Sequence, residues 1–268
     1  MSEKIALIAG NGNLPYYFYN EALKSGYEVF PIGVVETVSD KLKKIDNYVE
    51  IHIGELGKLI SYLIINKIDK IIMLGKVEKK IVFSVPKLDD HFQSLVDKLP
   101  DRKDETLLYG IINLLKENNL EVLPQNFLLD KLICEEKQYT DVGPDKIDKD
   151  TIKIGIEASQ ALGRIDVGQT VVAKNRAIVA LEAVEGSDET IKRAGKYANK
   201  ECIIVKTARP QQDMRMDVPA IGLETIKNGV AINAKGIVIQ AGKMIFLDQE
   251  EAIKLAEENN MFIVGVSI

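Results

Sequence analysis

The run KIALIAGNGNLP, residues 4–15, decides how the first half of the chain is read. After Lys4 it is an unbroken apolar stretch as far as Ala9, short enough for a strand covered on both faces. Gly10 and Gly12 follow at once, and Pro15 stands in the first turn of a helix, where a missing N–H costs nothing. Tyr16, Phe18, Ala22 and Leu23 supply the inner face of that helix, Gly26 stops it, and residues 27–34 form a second strand. The result is a βαβ opening, and backbone amides released at such a turn, beside a helix N-terminus, suit a phosphate. Gly10-x-Gly12-x-x-Pro15 departs from the dinucleotide fingerprint at its third glycine, and no acidic residue closes the second strand to hold a ribose. Nicotinamide chemistry is therefore disfavoured.

The alternation continues outward from this opening. Residues 48–53 read as a strand, 56–68 as an amphipathic helix, and 70–74 as a buried strand leaving at Gly75-Lys76, the strand end where open α/β sheets bind ligands. A helical stretch around Leu88-Asp89-Asp90-His91, a helix at 104–118, a strand at 120–123 and a helix at 127–136 complete the set. Residues 1–135 are thus expected to be a Rossmann-like, doubly wound α/β domain. The charged EEKQYTDVGPDKIDKD, residues 135–150, is the expected linker. Residues 136–268 predict an α+β domain carrying the catalytic loop. It has helices at 150–163, 188–198, 223–233 and 248–259, a hairpin of 170–173 with 177–181, a second hairpin of 236–240 with 244–247, and a closing strand at 261–266.

The composition narrows the chemistry. The chain has 268 residues, 46% of them hydrophobic and 28% charged, which is ordinary for a globular protein of one or two domains. A net charge of −5 argues against a nucleic-acid surface. No apolar run approaches the ~20 residues of a membrane span and no signal peptide is visible, so a cytoplasmic protein with at most peripheral contact at the inner face of a membrane is expected. Cys134 and Cys202 lack CxxC spacing and read as buried free thiols. His52 reads as a strand-face residue and His91 as a surface helix position, so a zinc site is not expected. Any metal must be held by carboxylates, which points to magnesium or manganese.

The stretch VKTARPQQDMRMDVPAIG, residues 205–222, is where such carboxylates occur. It follows the apolar run 202–205 and carries Lys206, Arg209, Asp213, Arg215 and Asp217. Read as an extended segment, Asp213, Arg215 and Asp217 share one side and can hold a divalent metal and a phosphate together. Asp217 and Asp213 are the candidate metal ligands, and Arg215 and Lys206 the phosphate clamps. Asp166, Glu182, Glu185 and Asp188 cluster at element junctions beside glycines. No GxSxG and no P-loop appears. These residues also fit a nucleotide- or phosphosugar-binding regulatory protein without catalysis. It would need the glycine turn and Arg215 but not the aspartates, and metal-dependent turnover separates the two.

Gly10-x-Gly12-x-Leu14-Pro15, Asp166-Val-Gly-Gln169, Glu182-Ala-Val-Glu-Gly-Ser-Asp188 and Pro210-x-Gln212-Asp213-x-Arg215-x-Asp217-x-Pro219-x-x-Gly222 occur in this order. With them the sequence resembles the LpxI-type UDP-2,3-diacylglucosamine pyrophosphatases of lipid A biosynthesis, over essentially its whole length. Gln211, Ser187 and Ala220 depart from the residues usual in that family, at positions that shape loops rather than carry charge. The resemblance implies cleavage of the diphosphate of UDP-2,3-diacylglucosamine to UMP and 2,3-diacylglucosamine 1-phosphate (lipid X), with magnesium as cofactor. It implies a catalytic aspartate, carried to Asp217 first and Asp213 second, with Arg215 beside them. The candidate substrate-binding residues are Gly10, Gly12, Asn13, Leu14, Gly75, Lys76, Asp166, Gln169, Glu185, Gly186, Asp188, Lys206, Arg209 and Gln212. The expected partner is the UDP-linked diacyl sugar itself, and the edge strands of the second domain leave a homodimer open.

Overall fold

The computed structural model describes residues 2–77, 88–101 and 104–268. The chain divides into two compact units, Met1–Leu129 and Asp130–Ile268. In the first, β1 (Lys4–Ala9), α1 (Leu14–Lys24), β2 (Glu28–Gly33), α2 (Asp40–Lys43) and β3 (Val49–Glu50) are followed by α3 (Leu56–Ile65) and β4 (Lys70–Leu74). Then come α4 (Asp90–Lys98), α5 (Asp104–Glu117) and β5 (Glu121–Val122). The strands form one sheet in the order β3-β2-β1-β4-β5, and every adjacent pair is parallel. In the central strand Ile5, Ala6, Leu7 and Ala9 are wholly buried, as a parallel strand with both faces covered requires. The order reverses between β1 and β4, so the carboxyl ends of those two strands flank the crevice that such sheets use for ligands. His91 is an exposed residue of α4, as expected, whereas His52 lies exposed just beyond β3 rather than on it.

The second unit contains α6 (Lys146–Arg164), β6 (Thr170–Lys174), β7 (Ala177–Leu181), α7 (Ser187–Ala198), β8 (Ile203–Lys206) and β9 (Ala220–Ile221). It continues with α8 (Leu223–Ala231), β10 (Gly236–Gln240), β11 (Ile245–Phe246), α9 (Gln249–Glu258) and β12 (Phe262–Val266). The main sheet runs β12-β10-β8-β6-β7 and is mixed: β12, β10 and β8 are parallel, and β6 is antiparallel to both of its neighbours. The expected β6–β7 hairpin forms, and its two turn residues Asn175 and Arg176 both have positive φ, 49° and 64°, as a tight primed turn demands. Alternate residues of β8 face opposite sides. Ile203 and Val205 pack with Ile152, Val238 and Phe262, whereas Ile204 joins Val172, Ile237, Ile239, Phe246 and Ile263. Burying one such side chain contributes about 1.5–3 kcal/mol. Helix α6 lies against β8 at Gly155, where a Cβ would come within 2.6 Å of Val205 Cγ2.

Three sequence expectations are corrected. Residues 236–240 and 244–247 do not form a hairpin. Every residue of β10 is buried, so it takes parallel neighbours on both sides, while β11 turns away at Gly242 (φ 75°) and pairs parallel with β9. The helix expected at 127–136 shrinks to a 3-10 turn, Asp130–Leu132, because Leu128 has φ 60° and the Cys134 amide donates to Met244 O at 2.9 Å. The expected linker is tied into the second unit. Tyr139 N donates to Ile263 O at 2.9 Å, the Tyr139 ring meets Phe246 edge-on at 5.3 Å, and Gly265 N donates to Lys137 O at 2.8 Å. Cys134 and Cys202 are buried and free, as expected. Among the described residues no helix is long and apolar enough to cross a membrane.

Candidate functional site

The antiparallel placement of β6 gathers the charged loops of the second unit. Thr170, at the start of β6, pairs with Lys206, at the end of β8, and Val171 pairs with Leu181, at the end of β7. The loop entering β6 (165–169), the loop leaving β7 (182–186) and the loop leaving β8 (207–219) therefore share one edge of the sheet. It is the carboxyl edge of the parallel strands, where α/β sheets place their ligands.

Buried polar side chains hold the chain rigid as it leaves β8. Ser159 Oγ of α6 lies 2.8 Å from Thr207 Oγ1 and donates to Gln169 O at 2.7 Å. Gln160 Nε2 donates to Thr207 Oγ1 and to Ala208 O, both at 2.9 Å, and Gln240 Oε1 accepts from Ala208 N at 2.9 Å. Ser159, Thr207 and Gln240 are buried, so losing one partner leaves another unsatisfied at a cost of about 1–3 kcal/mol. Reading the sequence did not single out these residues. The available signal was a polar residue at an inward position, Ser159 on the inner face of its helix and Gln240 at the end of an apolar strand.

Beyond Ala208 the chain folds into a compact loop rather than an extended segment, which corrects the expectation that Asp213, Arg215 and Asp217 alternate along one side. Met216 N donates to Asp213 O at 3.2 Å, closing a turn, and Gln212 Nε2 donates to Asp213 O, Met216 O and Asp217 O at 3.1, 2.9 and 3.3 Å. Met216 is buried beneath the turn and Asp217 takes φ 46°. Charges still converge, by a different route. Asp213 is 15% exposed and accepts from Arg215 through both carboxylate oxygens, with Nη2–Oδ2 at 2.7 Å and the Arg215 amide adding a bond to Oδ1 at 2.9 Å. Arg209, 14% exposed, reaches Asp166 Oδ1 through Nε at 3.0 Å and Asp217 Oδ2 through Nη2 at 2.9 Å. Asp217 is 59% exposed, and Lys206 Nζ donates to Ala220 O at 2.9 Å. The structure thus brings together Lys206, Arg209, Gln212, Asp213, Arg215, Asp217 and Asp166.

A second set of contacts ties the neighbouring loops to this one. Glu182 accepts from Gln169 N at 3.0 Å and from Ser187 Oγ at 3.1 Å, and Thr170 Oγ1 donates to Ser187 Oγ at 2.8 Å. Gly168 packs so closely that a Cβ would sit 2.5 Å from Glu182 O. Glu185, Gly186 and Asp188 serve helix α7 instead of the Arg–Asp cluster. Gly186 opens the helix with φ 81°, and Glu185 accepts from Arg193 at 2.6 Å. Its own backbone amide and then Arg193 hold the Glu185 carboxyl below the usual carboxylate range. Asp188 accepts from Asn228 Nδ2 of α8 at 2.9 Å.

In the first unit the turn after β1 meets the exit of β4. Asn11 N donates to Lys76 O and Lys76 N to Asn11 O, both at 2.8 Å, and Gly10 N donates to Leu74 O at 2.8 Å. A Cβ on Gly10 would lie 2.7 Å from Lys76 O, and Gly75 takes φ 92°. Gly10, Gly12, Asn13, Leu14, Gly75 and Lys76 are thereby assembled at the crevice of that sheet. The amides of Gly10 and Asn11, however, are spent on the end of β4 and the turn leaving it.

The Arg–Asp loops offer oxygen donors of the hard type that magnesium takes. Asp166, Asp213 and Asp217 are hard oxygen ligands, Asp217 is mainly exposed, and the buried side-chain oxygens Gln169 Oε1 and Gln212 Oε1 have no hydrogen-bond partner. Among the described residues no group of three or more His, Cys, Asp or Glu is placed to hold a metal ion. An ion here would be of the kind held by one or two carboxylates, substrate oxygens and water.

A parallel α/β unit, followed by a mixed-sheet unit with arginines and aspartates interleaved at its strand edge, defines a two-unit α/β protein of the phosphate-handling class. Two family models match it in register with these units: the LpxI N-terminal domain over residues 4–132 and the LpxI C-terminal domain over residues 135–264. The chain belongs to the LpxI family. It is 25% identical over 276 residues to UDP-2,3-diacylglucosamine pyrophosphatase LpxI of Caulobacter vibrioides, covering 98% of this chain and 97% of that protein. Among solved structures, the biotin carboxylase subunit of pyruvate carboxylase aligns at 14% identity with a TM-score of 0.28, too low to bear on the fold. That alignment covers 74% of this chain and 42% of the other.

Proposed function

We propose that this protein hydrolyses the diphosphate of UDP-2,3-diacylglucosamine, releasing UMP and 2,3-diacylglucosamine 1-phosphate. The observation that carries this reading is the end-to-end likeness, in both halves, to a protein bearing the name of that activity. The Arg–Asp cluster supports it chemically. Water adds to one phosphorus, the bridging oxygen leaves with the other phosphate, and the proton lost by water passes to solvent or to a product phosphate. Phosphoryl transfer of this kind asks the protein mainly for positioning and for neutralisation of charge.

Arg215 and Lys206 are the cations we assign to the diphosphate, Arg215 because its fork matches phosphate oxygens. Asp213, which engages Arg215 through both oxygens, orients that fork. Asp217, the most exposed carboxylate of the cluster, is the residue we assign to magnesium, with Asp213 the second candidate. When bound, magnesium would supply further positive charge to the phosphoryl oxygens. The first unit we read as Rossmann-like on its strand order, with the turn after β1 as an anion-binding turn of that unit. Since Gly10 and Asn11 donate to Leu74 and Lys76, anion contacts there fall to the amides from Gly12 to Leu14.

Incubating the protein with UDP-2,3-diacylglucosamine and magnesium is expected to yield UMP and the lipid 1-phosphate in equal amounts. Chelation by EDTA should abolish the release and added magnesium should restore it. No UMP above a protein-free control would overturn the proposal, and release that persists in EDTA would remove the metal from it.

A further inference from the structure

We infer that Asp166 and Arg209 are positioning residues for Asp217 rather than contacts to the substrate phosphates, an inference that rests on the functional reading above. One guanidinium serves two carboxylates from different loops: Nε meets Asp166 Oδ1 at 3.0 Å and Nη2 meets Asp217 Oδ2 at 2.9 Å. The contact to Asp217 is a hydrogen bond and the contact to Asp166 an ion pair, and a planar guanidinium offers both from one fixed plane, which an ammonium does not. Arg209 is the least exposed side chain of the three, and Gly163 packs against its backbone, 3.2 Å from an added Cβ to Arg209 Cα. Asp217 is the most exposed of the three. Its backbone sits at φ 46° and its carboxylate projects toward solvent. Asp166 is also left-handed, φ 55°, at the end of α6, so its carboxylate is aimed by the helix end and the loop that leads to β6. The chain of contact is thus α6, Asp166, Arg209, Asp217. A carboxylate that acts only through Arg209 should lose its influence once Arg209 is gone.

The test combines Asp166→Asn, Arg209→Lys and Arg209→Met with the double variant Asp166→Asn/Arg209→Met. Asparagine suits the left-handed backbone at 166 and removes only the charge. For UMP release, Asp166→Asn should lower kcat about tenfold with KM changed less than twofold, the range seen when a partner that orients a ligand is removed. Arg209→Met should lose more, Arg209→Lys should recover part of that loss, and the double variant should match Arg209→Met alone. Amide hydrogen exchange at Asp217, without substrate, should quicken in Asp166→Asn while exchange in β8 stays unchanged. A rise in KM at unchanged kcat in Arg209→Lys, or losses that multiply in the double variant, would overturn the inference. If the wild-type protein releases no UMP, the functional reading fails and the exchange measurement decides alone. Faster exchange at Asp217 then supports the tether, and unchanged exchange refutes it.

Discussion

Asp213 and Asp217 carry the same functional group two positions either side of Arg215, yet their surroundings differ. Asp213 is 15% exposed and engaged by Arg215 at both oxygens, while Asp217 meets Arg209 and is 59% exposed. Asp217→Ala is therefore expected to reduce kcat for UMP release by about 10²-fold or more. Asp213→Asn should cost on the order of tenfold, because it acts by orienting Arg215. Equal losses in a steady-state assay of the two variants would refute this expectation. The residue types of this site were readable from the chain, since a metal without available histidine or cysteine leaves only carboxylates. Their pairing was not. It depends on which arginine reaches which aspartate across a turn, whereas an extended backbone puts all three charges on one side.

At the scale of elements, the close approaches make demands that periodicity does not reveal. A methyl group on Gly168 meets Glu182 O at 2.5 Å, and one on Gly10 meets Lys76 O at 2.7 Å. Either alanine substitution should destabilise its unit by about 1–3 kcal/mol, measured as a lower urea midpoint. Gly168→Ala should also weaken activity, because it pushes apart the loops that Glu182 joins. Helix α6 begins with a capping box, Asp145 and Asp148 serving each other's backbone, and Lys235 binds both carboxylates at 2.8 Å. Lys235 first, then the Asp148 amide, lower the Asp145 pKa from 3.8 to about 2. A folded-state value below the unfolded one stabilises the protein above the unfolded value, and that contribution is lost as pH falls through the folded one. Asp145→Asn keeps a capping side chain and should flatten the change in melting temperature with pH between about 4 and about 2. A wild-type profile of equal slope there would contradict it. Helices and strands with clear period were legible here. The 236–247 hairpin was misread because a short apolar run looks the same whether its neighbour is antiparallel or parallel.

Across the whole molecule, both thiols lie in the second unit and neither is suited to chemistry at neutral pH. Burial pushes Cys134 up to about 12 and Cys202 to about 11. A thiol-reactive disulfide reagent at pH 8 should label neither in the native protein and both in guanidinium, and rapid labelling of either before unfolding would contradict the packing. The sequence by itself determined the βαβ order of the first unit, the two-part division, and the residue types available for phosphate and metal. Those follow from apolar period, glycine and proline chemistry, and a scarcity of softer ligands. Only the tertiary structure decided that the charged stretch at 135–150 packs onto the second sheet, and that Glu182, Ser159 and Gln240 brace the site. It also decided that Arg209 spans Asp166 and Asp217. Each depends on a hydrogen bond or ion pair between segments far apart in the chain, and local pattern carries no information about which distant group a side chain will meet.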